Sequence, residues 1–290
     1  MKVNNAVILA AGNSTRFAPL SYEMPKGLIE VRGEVLIERQ IRQLKTAGIE
    51  DISIVTGYMH ENYEYLAHKY DVRTILNPEY KQKNNISSIW AAREIFKNTY
   101  VCCSDNYFVI NPFEEDVEEA YYSAIFSPDK TDEWCMETDD CGFIKRVTIG
   151  GSNAWYMMGH TFWSEDFSKE FLKILEAEYD DPETGDKLWE QVFIEHLDIL
   201  KMKIRKYENS DILEFDSLED LRRFDNSYIE DTRSIIIKKI CRKLNCEEKD
   251  LIVTDTVKSK ISGAATGFAF TVKENSYIYN YSTKEISKLC

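Results

Sequence analysis

Short apolar runs alternate with helical stretches through about the first third of the chain, and that alternation leaves few folds open. Residues 3–11 (VNNAVILAA) form an apolar run that stops at Gly12, as a buried strand entering a tight turn does. Residues 34–47 carry apolar side chains at helical spacing, and Gly48 supplies a stop. DISIVTGY (51–58), VRTILN (72–77) and YVCCSD (100–105) read as further strands, with helices at 61–70 and 87–96 between them. Strand and helix in strict alternation predict right-handed βαβ crossovers and a mostly parallel sheet.

The middle has a different texture. Four β-rich pieces at 121–126, 133–137, 143–149 and 155–160 are separated by turn residues, a meander able to extend the sheet and wall one side of a pocket. Amphipathic helices are expected at 165–178 and 186–200, then a strand at 201–208 and the motif ILEFDSLEDLRRFD at 212–225. We expect one domain over 1–228 and a small α+β appendage over 229–290: a helix (SIIIKKICRKL), a turn (NCEEKD) and the strands VKSKIS, FAFTVK and SYIYNY. An open strand edge at 276–281 would suit pairing with a second copy, a possible homodimer.

Fifty acidic residues against 36 basic ones, a formal net charge of -14, argue against nucleic acid as a partner. A nucleotide needs only a few local cations. The apolar stretch near the amino terminus is short for a signal peptide, and no later run approaches the ~18 residues of a membrane span. Seven cysteines without CxxC spacing indicate neither a disulfide framework nor a zinc site. A cytoplasmic enzyme with no membrane partner is the expectation.

The chemistry concentrates in residues 9–27, LAAGNSTRFAPLSYEMPKG. This segment leaves the carboxyl end of the first strand, where open parallel sheets place their ligands. Small residues there let backbone N–H groups approach phosphate oxygens. Arg16 and Lys26 supply fixed positive charge for a triphosphate and its leaving group. It is not a Walker loop, which would read G-x-x-x-x-G-K-[ST].

The segment resembles the signature of sugar-phosphate and cytidylyl nucleotidyltransferases. Through GYMHENYEYL, NPEYKQKNNISSIW, SDNYF, DEW and EFDSLEDL, over residues 4–225, the chain is similar to the bacterial phosphocholine cytidylyltransferases and their relatives acting on 2-aminoethylphosphonate. The resemblance implies a three-layer αβα Rossmann-like nucleotidyltransferase fold with a mixed, mostly parallel sheet. The related loop usually carries a second glycine where this chain has Ser14. The appendage faintly resembles the start of a choline-kinase-like domain, but no H-x-D follows, so no kinase activity is expected.

The resemblance implies Mg²⁺ held by Asp105 and Asp216; read as residues alone, either aspartate also suits a turn or a helix cap. It implies that Leu9, Ala10, Ala11 and Gly12 present backbone to the nucleotide, with Asn85 and Ser88 near base and ribose; Asn84 and Asn85 could instead start the helix that follows. The aromatic residues Trp134, Trp155, Tyr156 and Trp189, with Glu133 and Glu190, suit an amino-alcohol head group through ring faces and acids. The same rings would equally serve as core packing. No general base is required, because a phosphomonoester is mostly dianionic near neutral pH. The four histidines are therefore expected to be bystanders.

The leading expectation is CTP plus phosphocholine giving CDP-choline and pyrophosphate. The alternatives are a cytidylyltransferase for 2-aminoethylphosphonate or phosphoethanolamine, a sugar-1-phosphate nucleotidyltransferase, and a non-catalytic nucleotide-binding regulator.

Overall fold

The computed structural model describes residues 1–259 and 265–289. Two compact units emerge, the first built from residues 1–12 and 36–214 and the second from 13–35 and 215–290.

The first unit holds a nine-stranded mixed sheet. Its parallel centre runs Thr99–Cys103, Asn5–Ala10, Ile52–Thr56, Arg73–Leu76. Asn5–Ala10 is buried at every position, as a strand covered by helices on both faces must be. The meander residues extend the sheet with Ala154–Trp163, Thr131–Thr138 and Ile144–Gly151 in antiparallel order. Tyr121–Ser127 pairs with Ala154–Trp163, and Lys203–Tyr207 lies parallel to it.

Local chemistry explains the helices. Leu36–Thr46 buries Leu36, Ile37, Ile41 and Leu44 and ends before Gly48 at φ 84°. It begins later than its periodicity suggests, because Glu34–Val35 is drawn into a hairpin with Glu30–Val31. Glu165–Glu178 starts on Ser164, whose hydroxyl accepts from the Phe167 N–H, with Glu165 and Asp166 favourably placed at the positive end of the helix dipole. The helix expected over 186–200 shrinks to Trp189–Glu195. A core of Leu9, Val101, Ile86, Trp163, Phe171, Trp189 and Phe193 lies on one side of the sheet. Rings pack against Trp163 from Phe96, Phe167, Phe171 and Trp189 at 4.6–5.0 Å between centroids.

In the second unit a four-stranded antiparallel sheet runs Leu251–Lys258, Ala265–Val272, Asn275–Asn280, Ile286–Lys288. The strand expected at 257–262 therefore sits earlier, and residues 260–264 lie outside the described ones. The open edge expected at 276–281 is not there: Asn275–Asn280 has a neighbour on each side, since residues 286–288 fold back onto it. Helix Ile235–Leu244 starts on Ser234, which accepts from the Ile237 N–H. Arg222 is buried and spends its guanidinium on three carbonyls, those of Tyr228, Glu248 and Leu251, which ties the helix Leu218–Phe224 to this sheet.

Candidate active site

The carboxyl ends of the parallel strands bring Ala10–Gly12, Thr56–Gly57 and Cys103–Asp105 to one edge. The Ala11 carbonyl accepts from the Tyr58 N–H at 3.0 Å, and the Leu9 carbonyl accepts from the Ser104 N–H at 3.1 Å. Gly57 is required by this approach. A methyl there would stand 2.9 Å from the Ala11 oxygen and 2.7 Å from the Tyr80 ring. At Gly12 a methyl would meet no described atom within 4 Å, so that glycine's neighbourhood is open. Leu9, Ala10 and Ala11 are buried, leaving backbone rather than side chains as what they present.

Beyond Gly12 the loop belongs to the second unit. Ser14 has φ 45° and ψ 50°, the left-handed region where a side chain costs about 1–2 kcal/mol. Ser14→Gly is expected to raise stability by ~0.5–1 kcal/mol in thermal unfolding.

Arg16 and Lys26 converge on one carboxylate. Arg16 Nη1 lies 2.9 Å from Asp216 Oδ2, and Lys26 Nζ lies 3.4 Å from Oδ1. Asp216 does not cap the helix that follows; Ser217 does, accepting from the Asp220 N–H. The Arg16–Asp216 pair is exposed, with the arginine side chain at 74%, so it contributes ~1 kcal/mol or less. Lys26 is the opposite case, buried with its ammonium 5.7 Å from the centre of the Phe17 ring.

Asp105 is half-buried in the turn after Thr99–Cys103. That turn is bracketed by Gln40, whose buried amide donates to the Cys103 and Asn106 carbonyls at 2.8 Å each. Sequence reasoning passed over Gln40, although a glutamine on the apolar face of an amphipathic helix was a signal. Asp105 in the first unit and Asp216 in the second each offer hard oxygen ligands, the donor chemistry that Mg²⁺ takes together with water. Among the described residues no cluster of three or more acidic, histidine or cysteine side chains is arranged to hold a metal.

Asn85 caps from a distance. Its Oδ1 accepts from the Trp189 N–H at 2.7 Å and its amide donates to Glu190 Oε2 at 3.3 Å, so it fixes the start of a helix some hundred positions away. Ser88 is buried and accepts from the Asn77 amide at 3.1 Å. Its hydroxyl is turned into the protein rather than offered to a ligand.

The expected acceptor residues divide. Trp189 is 2% exposed and packs on Tyr122 and Trp163, so its ring is core. Trp134 and Trp155 lie half-buried against the same core, and Trp155 already carries the Lys206 ammonium 4.8 Å from its ring centre. Tyr156 pairs with Cys135 across the strands, on the face opposite Trp155. Its hydroxyl is pushed up by burial and then by the charges of Glu133 and Glu214. The Cys103 thiol is likewise raised well above its ordinary value, by burial first and then by Asp105, Glu190 and Glu214. The negative field at this end of the sheet thus includes Glu214, which the sequence did not single out. It ends a three-residue strand that pairs with Asn106–Phe108.

Glu190 is the buried member of this group. It accepts from the Tyr122 hydroxyl and the Asn85 amide at 3.3 Å, and desolvation raises it to about 7. A carboxyl raised in the fold binds more protons there than in the unfolded chain between pH ~4.5 and ~7. Stability from this group is therefore present below that window and lost as pH rises through it. Glu190→Gln, which keeps an acceptor oxygen, should stabilise the protein by ~2–3 kcal/mol at pH 8 and hardly at all at pH 4. Thermal melts across that range read the difference.

His160 is fully buried between Tyr121 and Ser123 and is held near 3 by desolvation, a neutral core group.

Residues 6–129 match the family of MobA-like NTP transferase domains. The chain is 32% identical over 220 residues to a choline-phosphate cytidylyltransferase of Streptococcus pneumoniae, covering 76% of this chain and 96% of that one. The chain belongs to this cytidylyltransferase family. A 2-aminoethylphosphonate cytidylyltransferase of Lancefieldella rimae is 35% identical over 232 residues, 78% of this cytidylyltransferase and 93% of that relative. The solved structure of the CTP:phosphocholine cytidylyltransferase from Streptococcus pneumoniae superposes with a TM-score of 0.74 over 78% of this cytidylyltransferase and 99% of that chain, at 32% identity. About a quarter of this cytidylyltransferase lies outside each alignment. Among the described residues no helix is long and apolar enough to cross a membrane.

Proposed function

We propose that this chain transfers CMP from CTP to phosphocholine with Mg²⁺ as cofactor, giving CDP-choline and pyrophosphate. The observation that carries the reading is the convergence of Arg16 and Lys26 on Asp216 within the glycine loop. Two cations held by one exchangeable carboxylate suit a triphosphate that arrives with its own negative charge.

In this reading an oxygen of the phosphocholine phosphate attacks the α-phosphorus of CTP. The new P–O bond forms as the bond between the α-phosphorus and the bridging oxygen breaks, and pyrophosphate leaves with that electron pair. The attacking oxygen is already ionised, so catalysis reduces to positioning and electrostatics. Arg16 and Lys26 stabilise charge as it grows on the departing pyrophosphate. Asp105 and Asp216 are the proposed ligands of Mg²⁺, which when bound neutralises phosphate charge. Leu9, Ala10, Ala11 and Gly12 offer backbone to the nucleotide. Asn85 acts by holding Glu190 and the Trp189 helix, and Trp189 supports the acceptor side from the core.

A positive head group is favoured beside the Tyr156 ring, where Glu133 and Glu214 supply negative field; Glu190 adds to that field near Cys103, and Trp134 and Trp155 back the wall from the other face of the strands. A quaternary ammonium offers no N–H donor, so rings and field serve it without matched acceptors. A primary ammonium wants three acceptors. The 35% identity to an aminophosphonate enzyme favours 2-aminoethylphosphonate as the second reading. Steady-state kinetics with CTP and each acceptor in turn separate the two. The first reading requires a higher kcat/KM for phosphocholine, and a higher value for 2-aminoethylphosphonate would replace it with the second.

A further inference from the structure

The second unit encloses the loop that carries Arg16 and Lys26 with residues from the far end of the chain. The Thr256 hydroxyl donates to the Thr15 carbonyl at 2.8 Å, the carbonyl immediately before Arg16. That oxygen also accepts from the Ala18 N–H at 3.2 Å, closing the single helical turn on which Arg16 sits. Seven residues further on, the Tyr22 and Tyr281 rings stack with centroids 3.8 Å apart and planes 6° from parallel. Glu23 then accepts from the Ile236 N–H at 3.0 Å, in the first turn of helix Ile235–Leu244, where a carboxylate also meets the positive end of the helix dipole. The Glu30 carbonyl accepts from the Tyr228 hydroxyl at 2.6 Å and from Arg233 at 3.1 Å.

These contacts are spread along the loop rather than gathered at one end. A carbonyl, a ring, a carboxylate and a second carbonyl at positions 15, 22, 23 and 30 are each held from residues 228–281. The Arg16 side chain itself is 74% exposed and gains little order from its own surroundings. Asp216 meets the guanidinium at 2.9 Å, while the point from which the side chain leaves is set by the backbone turn, and one of the two hydrogen bonds on that turn's carbonyl comes from Thr256.

We propose that residues 228–259 and 265–289 act as a positioning element for the nucleotide loop, with Thr256 and Tyr281 as its positioning residues and the Arg16 guanidinium as what they aim. This rests on the reading of Arg16 as a phosphate ligand. Neither residue touches substrate; each acts through the backbone that presents the arginine.

The test is steady-state kinetics of the full chain for Thr256→Val, Thr256→Ser and Tyr281→Leu, in the wild-type and Arg16→Ala backgrounds. Losing the hydroxyl at nearly constant volume should lower kcat/KM for CTP about tenfold, the scale of one hydrogen bond. KM for the acceptor at saturating CTP should stay within about twofold, because a CTP-side defect does not reach it. Thr256→Ser keeps the donor and should stay close to wild type. Tyr281→Leu should repeat the CTP defect, and it carries the test if Thr256→Val fails to fold. In the Arg16→Ala background Thr256→Val should add no further loss, since residues acting as a unit are not additive.

Wild-type kcat/KM for CTP in folded Thr256→Val and Tyr281→Leu overturns the proposal. So does an equal loss in both backgrounds. Arg16→Ala alone separates the two levels. If it is impaired while Thr256→Val is not, only the positioning role fails; if it is itself unimpaired, the phosphate reading of Arg16 fails first.

Discussion

Lys26→Met is expected to lower kcat for pyrophosphate release by about 10²–10³-fold, the scale of losing one charge aimed at a developing anion. The fold should survive. Lys26 is buried and methionine is close to its shape without the ammonium, and Asp216 keeps Arg16 as a partner at 2.9 Å. Arg16→Ala should be milder than Lys26→Met, because the exposed arginine is one of two cations and water replaces it easily. Circular dichroism alongside the kinetics separates lost chemistry from lost structure. A Lys26→Met protein that is folded and turns over at the wild-type rate would remove Lys26 from the mechanism.

Trp189→Ala should cost about 3–5 kcal/mol of unfolding free energy, the range for deleting a large buried ring. Its indole lies among Tyr122, Trp163 and Phe171 at 5.0–6.1 Å between centroids, with nothing of comparable size able to fill the space. Alanine keeps the backbone N–H that Asn85 accepts from, so the helix start survives in the folded protein and activity should fall with stability rather than independently of it. Chemical denaturation gives the number. A loss below ~1 kcal/mol would mean that the ring is not core and faces the acceptor instead.

These two residues mark how far the sequence could be read. The parallel strands at 5–10, 52–56, 73–76 and 99–103 were legible because buried strands joined by amphipathic helices leave a periodic trace. Arg16 and Lys26 stood out as charged residues in a segment that opens on a glycine turn, and Asp216 through the family resemblance. Their convergence did not, since Lys26 and Asp216 are 190 positions apart. Tryptophan composition suggested an aromatic acceptor wall, but composition does not say which face of a strand or helix a ring occupies. The register does: Trp155 shares a face with Met136, while Tyr156 lies opposite. Gln40 carries one local signal, a polar side chain on the apolar face of its helix, whereas Glu214 and Thr256 carry none strong enough to select them, because each acquires its partner only through tertiary folding. The open edge expected at 276–281 failed for a related reason, as the returning strand Ile286–Lys288 is too short and polar to announce itself.

The most direct measurement is pyrophosphate release with Mg²⁺, crossing CTP, UTP, ATP and GTP with phosphocholine, 2-aminoethylphosphonate and glucose-1-phosphate. The account predicts release with CTP and an amino-alcohol phosphate or phosphonate, most efficiently with phosphocholine. Release with glucose-1-phosphate in preference to both amino compounds would contradict it.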